Sequence, residues 1–101
     1  MRIYISGPIS GTDDHFRRFT EAEVALKEKG FQIINPQRLG SVLPADASHD
    51  DFMKICYPLL DLADMIYMLE GWQQSKGATM EMQYAIENKL AITFQGGRLD
   101  A

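Results

Sequence analysis

Glu81 has the neighbours a carboxylate needs to do covalent chemistry. It ends the segment Gly71-Trp72-Gln73-Gln74-Ser75-Lys76-Gly77-Ala78-Thr79-Met80-Glu81, in which a glycine-flanked loop feeds the start of a helix. Ser75 is a residue type that caps helix N-termini. The first free N–H groups after it suit an anion or a hydroxyl. Glu81 falls in the second turn, where the positive end of the helix dipole favours its ionised form. A carboxylate held there can attack a sugar carbon or stabilise an oxocarbenium ion. A helical glutamate taken alone is ordinarily a solvated surface residue, so its meaning depends on what else reaches the same place.

A second segment is built of the same kinds of residue. Ser6-Gly7-Pro8-Ile9-Ser10-Gly11-Thr12 puts two glycines and three hydroxyls directly after a β-rich run. Such a loop lets backbone approach a sugar or phosphate closely, although small residues also simply make tight turns. It holds neither G-x-G-x-x-G nor a Walker lysine, so dinucleotide-binding and P-loop readings fail. Trp72 can stack on a base or plug a sheet edge or subunit interface. Gln73 and Gln74 carry paired donors and acceptors but are also ordinary loop residues. His15 and His49 have no partner set for a metal, and no metal site is expected. Met53, Met65, Met68, Met80 and Met82 read as core or interface filler, Asp46, Asp50 and Asp51 as a solvated loop and helix start, and Cys56 as a buried thiol.

The elements that must position these segments follow from periodicity. Residues 2–6 form a short strand ended by Ser6-Gly7-Pro8. Asp13 or Asp14 opens a helix to about Lys29, with Phe16, Phe19, Ala22 and Leu26 on one face and Gly30 as the stop. Phe31 to Ile34 is a second strand closed by Asn35-Pro36, and residues 37–50 read as a loop. Phe52, Ile55, Leu59 and Leu62 recur at helical spacing, with Pro58 either kinking that helix or starting another. Met65 to Leu69 is a third strand. Ser75 opens the last helix, with Met82, Ala85 and Ile86 on its buried side, and Leu90 to Phe94 is a fourth strand. The alternation β-α-β-α-β-α-β predicts a three-layer α/β/α sandwich around a four- to five-stranded parallel sheet, flavodoxin- or Rossmann-like. Ligands bind such sheets beyond the strand C-termini, where the strand order reverses. The loops at 6–12 and 70–77 lie there by construction.

The chain has 101 residues with a net charge of −4, so one domain over residues 1–95 and a loose tail at 96–101 are expected. The acidic balance argues against duplex nucleic acid, which calls for a basic face. A few backbone N–H groups can still hold a single nucleotide. The one cysteine permits no intrachain disulfide, and a reducing compartment fits. No run resembles a signal peptide or a membrane span, so the expectation is a cytoplasmic protein without membrane association. A domain this small leaves apolar surface near water, which favours a homo-oligomer.

In their order along the chain, several motifs together resemble the nucleoside 2-deoxyribosyltransferase superfamily, in particular its short bacterial and phage members. They are Tyr4-Ile5-Ser6-Gly7-Pro8-Ile9-Ser10-Gly11, Ile34-Asn35-Pro36, Asp64-Met65-Ile66-Tyr67-Met68-Leu69, and Gly71-Trp72 followed by Ser75, Gly77, Ala78 and Glu81. The resemblance implies that Glu81 is the catalytic glutamate that forms a covalent glycosyl-enzyme. It implies that Ser75 contacts the ligand, at its 5′-phosphate in nucleotide-cleaving relatives. Tyr4 would shape the sugar pocket, and the Gly7–Gly11 loop would wrap sugar or phosphate. The chain departs from the family at two places. Cys56 stands where the family carries a sugar-holding aspartate, leaving Asp61 as the nearest acidic substitute, and Ser10 stands where nucleotide-cleaving relatives carry arginine.

Two classes of function follow. One is an enzyme that transfers or hydrolyses the N-glycosidic bond of a deoxynucleoside or its monophosphate, with Glu81 as nucleophile and no cofactor. The other is a non-catalytic nucleotide-binding module, or a structural subunit with a vestigial pocket. The expected partner in the first two cases is a small nucleoside or nucleotide.

Overall fold

The computed structural model describes residues 1–9 and 14–97. Its elements run β1 (Arg2–Ser6), α1 (His15–Glu28), β2 (Gln32–Ile34), a 3₁₀ turn (Pro36–Ser41), α2 (His49–Asp61), β3 (Met65–Met68), a second 3₁₀ turn (Trp72–Gln74), α3 (Lys76–Glu87) and β4 (Ala91–Phe94). The sheet has four strands in the order β2-β1-β3-β4, and every pairing is parallel. The order reverses between β1 and β3, so a crevice opens at their C-terminal ends.

Strand alternation assigns the faces of the sheet. Ile3 and Ile5 of β1 pack with Phe19, Ala22 and Leu26 of α1 on one side. Tyr4, Ile66 and Met68 pack with α2 and α3 on the other, through Met53, Cys56, Leu60, Ala78 and Ala85. These are the three layers that the β-α alternation predicts.

Several local expectations are corrected. Phe16 is 61% exposed, so α1 buries Phe19, Ala22 and Leu26 without it. Glu23 is the further buried residue of that face. Burial alone would raise its pKa, but hydrogen bonds from Lys27, Asn35 and Arg38 hold it at about 2. Arg38 and Asn35 thereby tie the first 3₁₀ turn to α1. Residues 37–50 are not one loop: they include most of that turn, and α2 begins at His49. Asn35 starts the turn, its side chain accepting from the Gln37 N–H.

The buried stripe of α2 is Met53, Cys56 and Leu60. Phe52, Ile55 and Leu59 flank it, half-buried, and Leu62 is exposed. Both sets repeat at helical spacing, and periodicity cannot choose between two adjacent apolar faces of one helix. Pro58 lies inside a single continuous helix. In α3 the buried residues are Ala78, Glu81 and Ala85, whereas Ile86 is half exposed. The other three strands are each a residue shorter than expected, β2 starting at Gln32, β3 ending at Met68 and β4 starting at Ala91, while β1 spans Arg2–Ser6 as expected. Among the described residues no helix is long and apolar enough to cross a membrane.

Candidate active site

The helices of a parallel sheet begin where the strands end, so α2 and α3 both point their N-termini at the crevice. Ser48 caps α2 in a reciprocal box with Asp51, whose N–H donates to the Ser48 hydroxyl at 3.0 Å while Asp51 accepts from the Ser48 N–H. Ser75 caps α3 as its residue type predicts, accepting from the Ala78 N–H at 3.2 Å. Between these helix starts and the end of β1 lies a cavity of about 470 Å³. Its walls include Gly7, Leu43, Phe52, His49, Ser75 and Glu81.

Glu81 forms the floor and is only 4% exposed. Side chains in a helix lean toward its N-terminus, which aims this carboxylate back at the cavity. Alternation in β1 turns Tyr4 and Ser6 to the same face, and both meet it. The Tyr4 hydroxyl donates to Oε2, and the Ser6 hydroxyl donates to Oε1 at 2.7 Å. The Cys56 thiol of α2 also acts on this carboxylate, favouring its charged form. Burial penalises the charged form of Glu81 and pushes its pKa to about 7, although Tyr4, Ser6 and Cys56 pull it down. Burial likewise raises the Tyr4 phenol well above its ordinary value and the Cys56 thiol to about 12, each helped by the negative charge of Glu81. Near neutrality the cluster therefore contains one group that titrates, held by two neutral hydroxyl donors beside a neutral thiol.

The structure brings Tyr4, Ser6, Gly7, Ser75, Gly77 and Glu81 to this crevice. Pro8 lies beside it, packed near Gly71, whose φ of +86° is the left-handed geometry that glycine supplies. Trp72 is not in the cavity wall: it packs on Phe94 at the end of β4, with ring centroids 5.9 Å apart. Asp61 is not brought to the site either. It sits at the last turn of α2, and its carboxylate accepts from the Tyr84 hydroxyl at 2.6 Å. Five residues of helix separate it from Cys56, so it cannot stand in for a carboxylate there. Ser10 and Gly11 lie outside the described residues. Among the described residues no three His, Cys, Asp or Glu side chains gather to hold a metal.

Sequence reasoning missed Lys76 and left His49 and Gln74, both of which it weighed, out of the site; all three line the cavity. Cys56, read as a buried thiol standing where the family carries an aspartate, is fully buried and acts on Glu81. The signal was available for His49: in a parallel sheet the start of every helix faces the ligand edge, α2 included.

Gly7 owes its place to a close approach. A Cβ there would lie 2.8 Å from Cβ of Leu69, which is fully buried. Gly7→Ala is therefore expected to lower stability by about 1–3 kcal/mol. The readout is a lower urea midpoint with an unchanged slope.

A solved structure titled as a CMP N-glycosidase, BcmB, of Clostridium botulinum superimposes on this chain with a TM-score of 0.66. The two are 19% identical, and the match covers 93% of this chain and 70% of that one. The likeness establishes a shared fold, a parallel sheet between two layers of helices. No curated protein matches the sequence. The family described as "Domain of unknown function (DUF4406)" matches residues 1–94, and the chain belongs to that family.

Proposed function

We propose that this protein cleaves or transfers the N-glycosidic bond of a nucleoside or nucleotide, with Glu81 as the nucleophile. The observation that carries the reading is a buried carboxylate at the floor of a nucleotide-sized cavity, oriented through both oxygens by Tyr4 and Ser6. The fold shared with a CMP N-glycosidase supports the same class of bond.

In the proposed reaction a Glu81 oxygen attacks the anomeric carbon as the carbon–nitrogen bond to the base breaks. The electron pair of that bond leaves on the base, which takes a proton from water. The transition state has oxocarbenium character, so an ionised carboxylate beneath the ring stabilises it. A deoxyribose lacks the electron-withdrawing 2′-hydroxyl, which lowers the barrier. Water then attacks the glycosyl-enzyme, loses a proton and frees the Glu81 carboxylate. If a second base attacks instead, it loses its own N–H proton and the outcome is transfer. The chemistry calls for no cofactor.

Incubation with deoxynucleosides and their monophosphates, with and without a second free base, tests the reading. Base released or exchanged by wild type and absent with Glu81→Ala supports it. Saturable binding without turnover replaces it with a nucleotide-binding module, and neither result leaves a structural subunit.

We also infer a homo-oligomer, since a domain of this size leaves apolar side chains such as Val42, Ile86 and Phe94 exposed. Sedimentation should show a species heavier than 11.4 kDa at micromolar concentration, and a monomer alone would exclude it. The free thiol of Cys56 suits a reducing, cytoplasmic setting.

A further inference from the structure

We propose that Ser6 is the positioning residue for the attacking atom: Glu81 forms its glycosyl bond through Oε1, and the Ser6 hydroxyl speeds the return of that oxygen to a carboxylate when the bond breaks. The inference rests on the glycosyl chemistry proposed for Glu81 and assigns its two oxygens different parts.

The strand sets the two oxygens apart. Tyr4 and Ser6 lie two residues apart on β1, about 7 Å along the strand. Because β1 runs toward the crevice, Ser6 at its end is the nearer of the two. The next residue, Gly7, lines the cavity. Tyr4 is instead enclosed with Cys56, Leu60 and Ala85 in the buried cluster between the sheet and its two helices. The Ser6 hydroxyl holds Oε1 at 2.7 Å, and the Tyr4 hydroxyl holds Oε2. This arrangement points Oε1 to the cavity side.

Ser6 is also firmly placed. It is fully buried and pairs with Met68 in the middle of the sheet. Its carbonyl accepts from the Leu69 N–H at 2.8 Å. A donor fixed in this way needs no reorganisation when charge appears in front of it.

The two steps use that donor differently. In the first, a lone pair of Oε1 bonds the anomeric carbon while the carbon–nitrogen pair leaves on the base. Oε1 becomes the bridging oxygen of an ester, a poor acceptor, and Oε2 its carbonyl oxygen, a good one. The Ser6 bond is therefore strong to the carboxylate and weak to the ester, whereas the Tyr4 bond survives in both. In the second step water bonds the carbon, and the carbon–Oε1 pair returns to Oε1. The extra proton of the water passes to solvent. Charge reappears on the oxygen that Ser6 faces, so this bond strengthens between the ester and its transition state and lowers that barrier. Before the first step the bond is already made, so it gains little there.

Rapid quenching of the intact protein at pH 9.5, where Glu81 is ionised, separates the steps. The substrate is whichever deoxynucleoside or monophosphate wild type cleaves fastest. Base release in the first turnover reads bond formation, and intact-mass spectrometry of the glycosyl-enzyme after substrate removal reads its decay. Ser6→Ala should release its first base within about threefold of the wild-type rate, since the bond gains little in that step. Its glycosyl-enzyme should decay about ten- to a hundredfold more slowly, the loss of one hydrogen bond to a charged group. A second free base should chase the adduct, showing that it lies on the path. Ser6→Cys keeps a weak donor and should fall between the two proteins. If Ser6→Ala does not fold, the slowed decay of Ser6→Cys carries the comparison. Decay at the wild-type rate, an adduct that no base chases, or a first turnover slowed as much as the decay overturns the role of Ser6 and leaves Glu81 as nucleophile. Base released by wild type with no adduct at any time removes the nucleophile itself.

Discussion

Glu81→Gln should release base roughly a thousandfold or more slowly than wild type and yet be the more stable protein at pH 8. The loss of rate follows from the proposed chemistry, because an amide oxygen neither carries the charge that the oxocarbenium-like transition state requires nor forms a stable glycosyl ester. The gain in stability follows from burial. Glu81 moves from an ordinary 4.5 to about 7 on folding, so the native state binds this proton more tightly than the unfolded chain does. With a raised native pKa, the contribution of the protonated group is fully present below about pH 4.5. It is lost as the pH rises through about 7. The full displacement corresponds to about 3 kcal/mol. Glutamine does not titrate and escapes this loss. Urea denaturation should therefore show the stability difference between Glu81→Gln and wild type growing by about 3 kcal/mol from pH 4.5 to pH 8. A difference that stays constant across that range would mean that the carboxylate is not held in a low-dielectric site. Glu23 does not confuse the comparison. Its carboxyl lies at about 2, so its contribution is lost only as the pH falls below 4.5 toward 2.

This opposition of stability and chemistry also bears on what the sequence makes legible. The layer order, the parallel pairing and the crevice between β1 and β3 follow from the β-α alternation. That alternation is written in short apolar runs and in stops such as Gly30 and Asn35-Pro36. The Ser75 cap and the approach of the first loop to α3 are legible for the same reason: residue types with one strong local preference mark them. Glu81 is different. Its helical position is readable, but its burial is not, because burial depends on Tyr4 and Ser6 arriving from a strand more than seventy residues away. The buried face of α2 is hidden for a related reason. The helix is apolar on neighbouring sides, and only the docking of Tyr4 and Glu81 decides that Cys56 faces inward while Leu62 does not. Asp61 shows the converse error. Proximity in sequence suggested a substitute acid, but five residues along a helix carry a side chain well away from the point where it is needed.

Tyr4→Phe should slow base release by roughly ten- to a hundredfold near neutral pH, and the deficit should shrink as the pH rises. The phenol donates directly to Oε2 of Glu81, and burial holds its own pKa well above the usual tyrosine range, so it remains a donor across the working range. A hydrogen bond to a charged acceptor contributes about 1.5–3 kcal/mol to the ionised form. Its removal should raise the Glu81 pKa by about one to two pH units above the wild-type value of about 7. Wild type should gain activity as a single group ionises near pH 7, because the nucleophile is the carboxylate. The variant should follow the same curve displaced upward, with the largest deficit below pH 7. Ser6 still orients Oε1 in the variant, so the geometry of attack is kept and the high-pH rate should approach that of wild type. A purely structural role for Tyr4, which is fully buried, would instead lower the rate by one factor at every pH and leave the midpoint in place. A pH–rate profile of kcat/KM for both proteins separates the two, and an unmoved midpoint would mean that Tyr4 does not govern the charge of Glu81.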